Sequence, residues 1–245
     1  MARSLTRVLV QAPAAVVVTA ILSSLAILVG IVDRSGRGSR ALAGTWSRAL
    51  LRIGRVGVQV EGLDHLPAGP AVYAANHGSA LDIPIVFGHL PVDFRIIHKR
   101  SLRLLPILGQ AMWAGGHIAI DRSHPFRARR SLAAAAHRIR EGTSVVVFPE
   151  GTRSPDPTVR RFKRGSFGLA LDAGVPVVPV SLVGIKAIVP EGLSSLLPGT
   201  VRVRVHAPVP VEGRPPEDAE ALAEEVRQIV AAGCVEGADP PGEPC

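Results

Sequence analysis

The chain has 245 residues, enough for one globular domain with a sizeable hydrophobic core. Its formal net charge is +8 and its pI is near 10.8, a balance that favours phosphate-rich partners such as anionic lipids or nucleic acids. Aromatic residues make up only 4% of the chain and no nucleic-acid motif is present, so we expect no nucleic-acid partner. The two cysteines, Cys234 and Cys245, lack metal-ligand spacing and indicate neither a zinc site nor a disulfide framework.

The N-terminal part is predicted to form two membrane-associated helices. Val8–Val32 carries no charge and is long enough to span a bilayer, although its polar residues also fit a helix embedded in one leaflet. A cleaved signal peptide is the third alternative. Ser39–Ile53 has an apolar stripe and a basic face, typical of a helix on a membrane surface but equally of a helix that packs on the domain. We assign residues 1–54 to this helix pair.

Strands and helices alternate from residue 55 onward. This order predicts an α/β domain, residues 55–236, with a largely parallel sheet flanked by helices. The tail, residues 237–245, contains three prolines and two glycines and is predicted to be disordered. Gly142 and Gly174 are predicted to end two of the helices. The predicted strands are Val56–Val60, Ala71–Ala75, Phe94–Ile97, His117–Ile120, Ser144–Phe148, Val177–Leu182 and Val201–His206. The predicted helices are Leu81–Leu90, Leu102–Trp113, Pro125–Arg140, Phe167–Ala173 and Glu217–Ala231.

The stretch 76–82 is the strongest candidate for a catalytic site. His77 leaves the carboxyl end of a predicted strand, and Asp82 falls in the first turn of the next helix, with Ser79 as the expected N-cap. An aspartate that accepts a hydrogen bond from one imidazole nitrogen fixes the tautomer and leaves the other nitrogen free as a base. The spacing alone also fits a loop histidine beside a helix-capping aspartate.

Charged residues follow four successive predicted strands. Because the carboxyl ends of parallel strands meet at one edge of a sheet, a base, a carboxylate and several cations are expected to collect there. A salt-bridge network at this edge is the structural alternative for Lys99 and Arg122. The strand-end segments are Asn76-His77, His98-Lys99-Arg100, Asp121-Arg122 and Pro149–Ser154.

Two absences restrict the chemistry. No Gly-x-Ser-x-Gly elbow or Cys–His pair offers an obvious covalent nucleophile, and no phosphate-loop motif is present. A His–Asp base beside cations suits removal of a proton from the hydroxyl of a phosphorylated substrate, which then attacks an activated carbonyl directly. Backbone N–H groups near Gly151 are candidates to stabilise the oxyanion. The competing mechanism is an acyl-enzyme on Ser79 or Ser154.

Four sequence blocks, in order over about residues 50–210, resemble the lysophosphatidic acid acyltransferase family, the PlsC-like 1-acylglycerol-3-phosphate O-acyltransferases. Asn76-His77-x-Ser79-x-x-Asp82 looks like the His-x4-Asp motif of the family, and Phe148–Ser154 matches its most specific signature. Gly78 and Ala119 depart from the family pattern, which usually has Gln and a larger apolar residue at these positions. The second and fourth blocks are His98–Arg122 and Phe162–Val180.

The resemblance implies transfer of a fatty acyl group from acyl-CoA or acyl-carrier protein to the free hydroxyl of 1-acylglycerol 3-phosphate, giving phosphatidic acid, without a cofactor or a metal. His77 would be the general base and Asp82 its orienting partner. Alternatives are another acceptor, either a lyso-ornithine lipid or glycerol 3-phosphate, and a non-catalytic membrane scaffold that binds lipid. We expect a location at the cytoplasmic face of a membrane. The implied substrate-binding residues are Glu150, Gly151 and Thr152, together with Lys99, Arg122 and Arg153 for the phosphate.

Overall fold

A computed structural model describes residues 2–33, 35–121, 124–154, 158–189 and 196–236. The strands in these ranges are β1 (Val56–Glu61), β2 (Val72–Ala75), β3 (Phe94–Lys99), β4 (Ile118–Ile120), β5 (Ser144–Val147), β6 (Val177–Val183) and β7 (Gly199–Val205). The α-helices are α1 (Ala2–Val32), α2 (Arg37–Gly54), α3 (Asp82–His89), α4 (Leu108–Ala114), α5 (Pro125–Arg140), α6 (Gly165–Ala173), α7 (Ile185–Ile188) and α8 (Ala219–Glu236). Short 3₁₀ helices cover Leu63–His65, Arg100–Leu104 and Pro216–Asp218.

The seven strands form one sheet in the order β1-β7-β6-β2-β5-β3-β4. All neighbouring strands are parallel except β6 and β7, which are antiparallel. The predicted α/β class with a largely parallel sheet is therefore confirmed. Because β2, β5, β3 and β4 are adjacent and parallel, the residues that follow them emerge at the same edge, as the sequence predicted.

Both faces of the sheet are covered, which explains why β2, β5 and β6 consist entirely of buried residues. Alternate residues of β2 point to opposite faces. Val72 packs with α5, α6 and α8 on one face, whereas Tyr73 packs with α3 and the end of α2 on the other. This double cover holds the strand that leads into the site in a fixed position.

Helices α3, α5 and α6 agree with the prediction to within two residues at each end, whereas α8 runs five residues past its predicted end at Ala231. Gly174 ends α6 at φ 69°, with its N–H donating to the carbonyls of Ala170 and Leu171, and Gly142 follows α5 at φ 100°. The single helix predicted over Leu102–Trp113 is wrong, because the chain forms the 3₁₀ helix Arg100–Leu104, turns, and then begins α4. Pro106 lies in the turn, where its missing N–H and its restriction on the preceding residue interrupt a helix.

The two N-terminal helices form an antiparallel hairpin. Gln11 Nε2 donates to the Ile53 carbonyl at 3.1 Å, and Ser39 Oγ donates to the Ala26 carbonyl at 2.9 Å. In α1 the stretch Leu9–Val32 has a mean hydropathy of 2.7 and is 11% buried, so by length and composition it is able to cross a membrane. Helix α2 packs against both α1 and α3. Of the two interpretations of this segment, a helix on a membrane surface or a helix that packs on the domain, the contacts correspond to the second. The predicted disordered tail lies outside the described residues.

Candidate active site

The loop between β2 and α3, residues 76–81, is held in place from several directions. Asn76 Nδ2 donates to the Leu182 carbonyl at 3.0 Å, and Leu182 N donates to Asn76 Oδ1 at 2.8 Å, so the loop begins tied to β6. The Ser154 N–H donates to the His77 carbonyl at 2.8 Å. Backbone groups on either side of the imidazole are thus fixed by partners distant in sequence.

His77 and Asp82 are in direct contact. His77 Nδ1 lies 2.6 Å from Asp82 Oδ2, and the same oxygen accepts the Ser79 N–H at 3.0 Å. Asp82 is fully buried, whereas the His77 side chain is 17% exposed. Phe148 stacks on the imidazole with ring centroids 4.4 Å apart. With Nδ1 held by Asp82, Nε2 is the ring nitrogen left to act as a base.

The helix that carries Asp82 begins at that residue, so the prediction that Ser79 is its N-cap is wrong. Ser79 lies too far before the first turn, and its Oγ accepts the Leu81 N–H at 3.2 Å within the loop. The carboxylate of Asp82 nevertheless sits at the helix N-terminus, where the macrodipole favours negative charge. Burial raises the pKa of Asp82, and the hydrogen bond from His77 opposes that shift.

Each carboxylate oxygen of Glu150 accepts a hydrogen bond from a backbone N–H group. It is buried, Oε1 accepts the His77 N–H at 2.7 Å, and Oε2 accepts the Arg160 N–H at 3.4 Å. Burial raises its pKa, and the hydrogen bond from the His77 backbone opposes the rise. These contacts give Glu150 the position of a brace for His77, whereas the resemblance implied a group that shapes the acceptor site.

The residues after Glu150 form a tight turn. The Gly151 N–H donates to the Phe148 carbonyl at 3.1 Å and is engaged within the turn, and the proposal that backbone N–H groups near Gly151 stabilise the oxyanion stays a prediction. Gly151 has φ 77°, and a Cβ built on it would lie 2.5 Å from Lys163 Nζ. The positive φ favours glycine here, and a larger residue would also displace the flexible end of the Lys163 side chain that lies across it.

A cavity of about 680 Å³ opens beside His77 and extends between the sheet and the N-terminal helices. His77, Ser79 and Arg153 form part of its wall. Most of the remaining wall is apolar and comes from four helices and the 3₁₀ turn after β3. These residues include Leu22, Ala26, Leu42, Trp46, Leu50, Ile83, Phe87, Leu102, Leu108 and Met112. The arrangement places a base and a cation at a site that can take a long apolar chain.

The predicted cations are not all gathered at the cavity. Arg153 lines it, whereas Lys99 is exposed at the end of β3 and Thr152 is exposed in the turn before Arg153. Arg122 lies outside the described residues. Asp121 accepts from Arg100 at 3.2 Å and lies 3.8 Å from an Arg127 nitrogen, so ion pairs are present at this edge, although they involve neither of the two cations for which a salt-bridge network was the alternative.

Several residues near the site were not assigned a role from the sequence. Phe148 and Asn76 lie inside the quoted motifs, and their positions directly beside Glu150 and His77 were the available signal. His98 lines the cavity, its Nδ1 donates to the Lys99 carbonyl at 3.0 Å, and burial lowers its pKa. Since a carbonyl only accepts, Nδ1 of His98 is the protonated nitrogen and the imidazole is a neutral polar group in an otherwise apolar wall.

Residues 57–183, which include the β2–α3 loop and the Glu150 turn, match the family described as Acyltransferase. The chain belongs to the acyltransferase family. It is 40% identical over 178 residues to a 1-acyl-sn-glycerol-3-phosphate acyltransferase of Chlamydomonas reinhardtii, covering 71% of this chain and 52% of the relative. Identity to the human 1-acyl-sn-glycerol-3-phosphate acyltransferase alpha is 37% over 172 residues, covering 69% of this chain and 61% of that protein.

This acyltransferase spans about half the length of the first curated relatives that it matches, since the chloroplastic 1-acyl-sn-glycerol-3-phosphate acyltransferase of Arabidopsis thaliana is covered over 48% of its length. The structure is also similar to the crystal structure of the 1-acyl-sn-glycerophosphate acyltransferase PlsC from Thermotoga maritima. The superposition covers 94% of each chain, with a TM-score of 0.79 and 29% sequence identity. The expected family and fold are therefore confirmed.

Proposed function

We propose that this acyltransferase transfers a fatty acyl group from a thioester to the free hydroxyl of 1-acylglycerol 3-phosphate, giving phosphatidic acid. The observation that carries the proposal is the His77 imidazole, oriented by the buried Asp82 and facing an apolar cavity that Arg153 also lines. The names of the relatives support this acceptor. A guanidinium beside the base supports a phosphate-bearing acceptor over one without a phosphate.

In this mechanism His77 Nε2 removes the proton of the acceptor hydroxyl as its oxygen attacks the thioester carbonyl. A C–O bond forms, the tetrahedral intermediate collapses, and the C–S bond breaks. The proton held on the imidazole passes to the departing sulfur. Asp82 holds Nδ1 and stabilises the imidazolium that forms in between, as the aspartate does in a Ser-His-Asp triad.

Direct transfer agrees with the contacts of the two serines that compete as nucleophiles. Ser79 Oγ accepts the Leu81 N–H within the loop, and Ser154 is buried and is not among the residues that line the cavity. Incubation of the protein with labelled acyl thioester and no acceptor should leave no stable label on the chain. Label that persists and is lost in Ser79→Ala or Ser154→Ala would contradict direct transfer.

The acceptor is tested by product analysis. Purified protein in detergent is offered acyl-CoA or acyl-carrier protein together with lysophosphatidic acid, glycerol 3-phosphate or a lyso-ornithine lipid. Phosphatidic acid formed from lysophosphatidic acid, and lost in His77→Ala, is the expected result. A higher kcat/KM for either of the other acceptors would contradict the proposed substrate, and turnover with none of them would contradict the activity.

The protein associates with membranes through its apolar N-terminal helix, and we propose that the site faces the cytoplasm, where both classes of acyl donor are found. The proposal is tested with sealed membrane vesicles of known orientation. Protease added outside right-side-out vesicles should leave residues 55–236 intact, and protease added to inverted vesicles should cut within them. The reverse pattern would place the site on the other side.

A further inference from the structure

The segment between β3 and β4, residues 100–114, is apolar on both of its sides. Leu102, Leu108 and Met112 turn toward the cavity that His77 lines. On the outside, four large apolar side chains are exposed within ten residues. This outer patch consists of Leu104, Leu105, Ile107 and Trp113, which are 83%, 43%, 42% and 67% exposed.

Such a patch is unusual on a surface that faces only water. Several large exposed apolar groups on one short segment are typical of a site of contact with a protein or a membrane. The chain also holds Ile107 at φ 64°, a conformation that a β-branched residue rarely adopts. The turn that places Ile107 in the patch is thus kept despite local backbone strain.

The outer patch continues the exposed surface of α1. Helix α4 packs against α1 so closely that a Cβ built on Gly30 would lie 2.6 Å from the Ala114 Cβ. The neighbouring end of α1 exposes Ile31 and Val32 by 67% and 88%. Trp113, which precedes Ala114, is therefore close to apolar groups of the helix that associates with the membrane.

Cations border the outer patch. Arg100 and Arg127 both pair with Asp121, which places the start of α5 beside the 3₁₀ turn. Arg103, which is adjacent to Leu104 in the chain, lines a recess of about 330 Å³ together with Arg130 of α5. An apolar surface with a tryptophan and a basic rim is the combination that binds at the headgroup level of an anionic bilayer.

We propose that the outer patch inserts into the membrane surface beside α1, and that the 100–114 segment gives the lysophospholipid acceptor a lateral path from the bilayer to His77. The lipid is the occupant because the patch continues α1 and because the opposite side of the same segment lines the cavity. The identity of the acceptor rests on the proposed function. The insertion of the outer patch into lipid is independent of that function.

The position is measured with the two tryptophans, Trp46 and Trp113. Trp46→Phe leaves Trp113 as the only tryptophan, and the variant is reconstituted in vesicles of phosphatidylglycerol and phosphatidylcholine with or without bromine on the acyl chains. Bromine should quench Trp113 fluorescence strongly, whereas aqueous iodide should not. Quenching by iodide without quenching by bromine would show a patch open to water or to another protein and would overturn the proposal.

The path is measured by comparing two forms of one acceptor. The double variant Leu104→Glu/Trp113→Glu is assayed with long-chain lysophosphatidic acid in vesicles and with a short-chain analogue that is monomeric in water. Because two large apolar side chains leave the lipid, the rate on vesicles should fall about tenfold or more. The rate on the monomeric analogue should stay near that of the wild type.

A matched control places two glutamates on exposed apolar positions elsewhere, Leu63→Glu/Val235→Glu, which are 43% and 77% exposed in the wild type. This control should retain both rates. Equal loss of both rates in Leu104→Glu/Trp113→Glu, or loss of neither, would overturn the lateral path. A wild type that acylates neither form of lysophosphatidic acid would overturn the proposed function instead, while the Trp113 quenching would still stand or fall on its own.

Discussion

The chain that follows β2 and the chain that follows β3 leave the same edge of the sheet but are built in opposite ways. The β2–α3 loop is nearly buried, and hydrogen bonds with β6, Glu150 and Ser154 hold it. The 100–114 segment has few such anchors and exposes large apolar side chains. A proton-transfer group must be held within a fraction of an ångström, whereas a surface for lipid substrates must remain accessible. The two constructions fit these two tasks.

The largest effect is expected from removing the base in the β2–α3 loop. His77→Ala should lower turnover by about 10²–10⁴-fold while both substrates still bind, because one positioned base contributes that much. His137→Ala on α5 is the matched control, since its side chain is 66% exposed. Steady-state kinetics check the result, and a loss below tenfold would remove His77 from the proton transfer.

Asp82→Asn should also lose most of the activity, because an amide can donate to Nδ1 and favour the wrong tautomer. The double variant His77→Ala/Asp82→Asn should be no slower than His77→Ala alone, since the pair acts as one unit. Rates of the two single variants and the double variant test this coupling. Additive losses would show that Asp82 acts on something other than the imidazole.

Arg153→Ala should weaken binding of the acceptor more than it slows the chemical step. A hydrogen bond to a charged group contributes about 1.5–3 kcal/mol, which corresponds to a rise of roughly 10–100-fold in the KM for lysophosphatidic acid. Arg153→Lys should recover only part of this, because an ammonium lacks the two-pronged grip of a guanidinium. Arg227→Ala on α8 serves as the control. An unchanged KM in Arg153→Ala would remove Arg153 from the phosphate site.

Glu150→Ala tests the brace beneath the loop. It leaves the His77 N–H without its acceptor, which should lower the free energy of unfolding by about 1–3 kcal/mol and reduce kcat. Glu150→Gln keeps an acceptor oxygen and should recover most of both. Glu141→Ala, at a side chain that is 63% exposed, is the control for urea denaturation in detergent. Equal behaviour of Glu150→Ala and Glu150→Gln would show that the backbone contact is unimportant.

The smallest expected effect on activity concerns His117, where the chain returns from the 100–114 segment to the sheet. Burial lowers the pKa of His117 from 6.5 to about 3. Between these two pH values His117 is protonated in the unfolded chain and neutral in the folded chain. The free energy of unfolding therefore falls as the pH is lowered from 6.5 toward 3, by up to about 1.4 kcal/mol per pH unit.

His117→Asn cannot take up this proton but retains an oxygen that can accept the Ile96 N–H, as His117 Nδ1 does at 3.2 Å. Its free energy of unfolding should therefore fall less steeply over the same pH range. The remaining slope includes His98, whose pKa is also lowered by burial and which titrates as before. Identical slopes for the variant and the wild type would contradict the burial of a neutral imidazole at position 117.

The sequence by itself determined the strands, most of the helices and the pairing of His77 with Asp82. Buried strands appear as short apolar runs between turn residues, and the five-residue spacing brings a strand end and a helix start together through local geometry alone. The single helix predicted over Leu102–Trp113 is wrong because the apolar residues of this segment recur at helical intervals. These intervals arise because the segment has apolar side chains on two sides, and not because it forms one continuous helix.

Only the tertiary structure decided what surrounds that pair. The strand order places β6 beside β2, which allows Asn76 to bond Leu182 across 106 positions of sequence, and Glu150 reaches the His77 N–H across 73. The cavity exists because α1 and α2 fold back against α3 and α4. These contacts join residues far apart in the chain and depend on the packing of whole elements, whereas the sequence pattern of a single element reports only which of its faces is apolar.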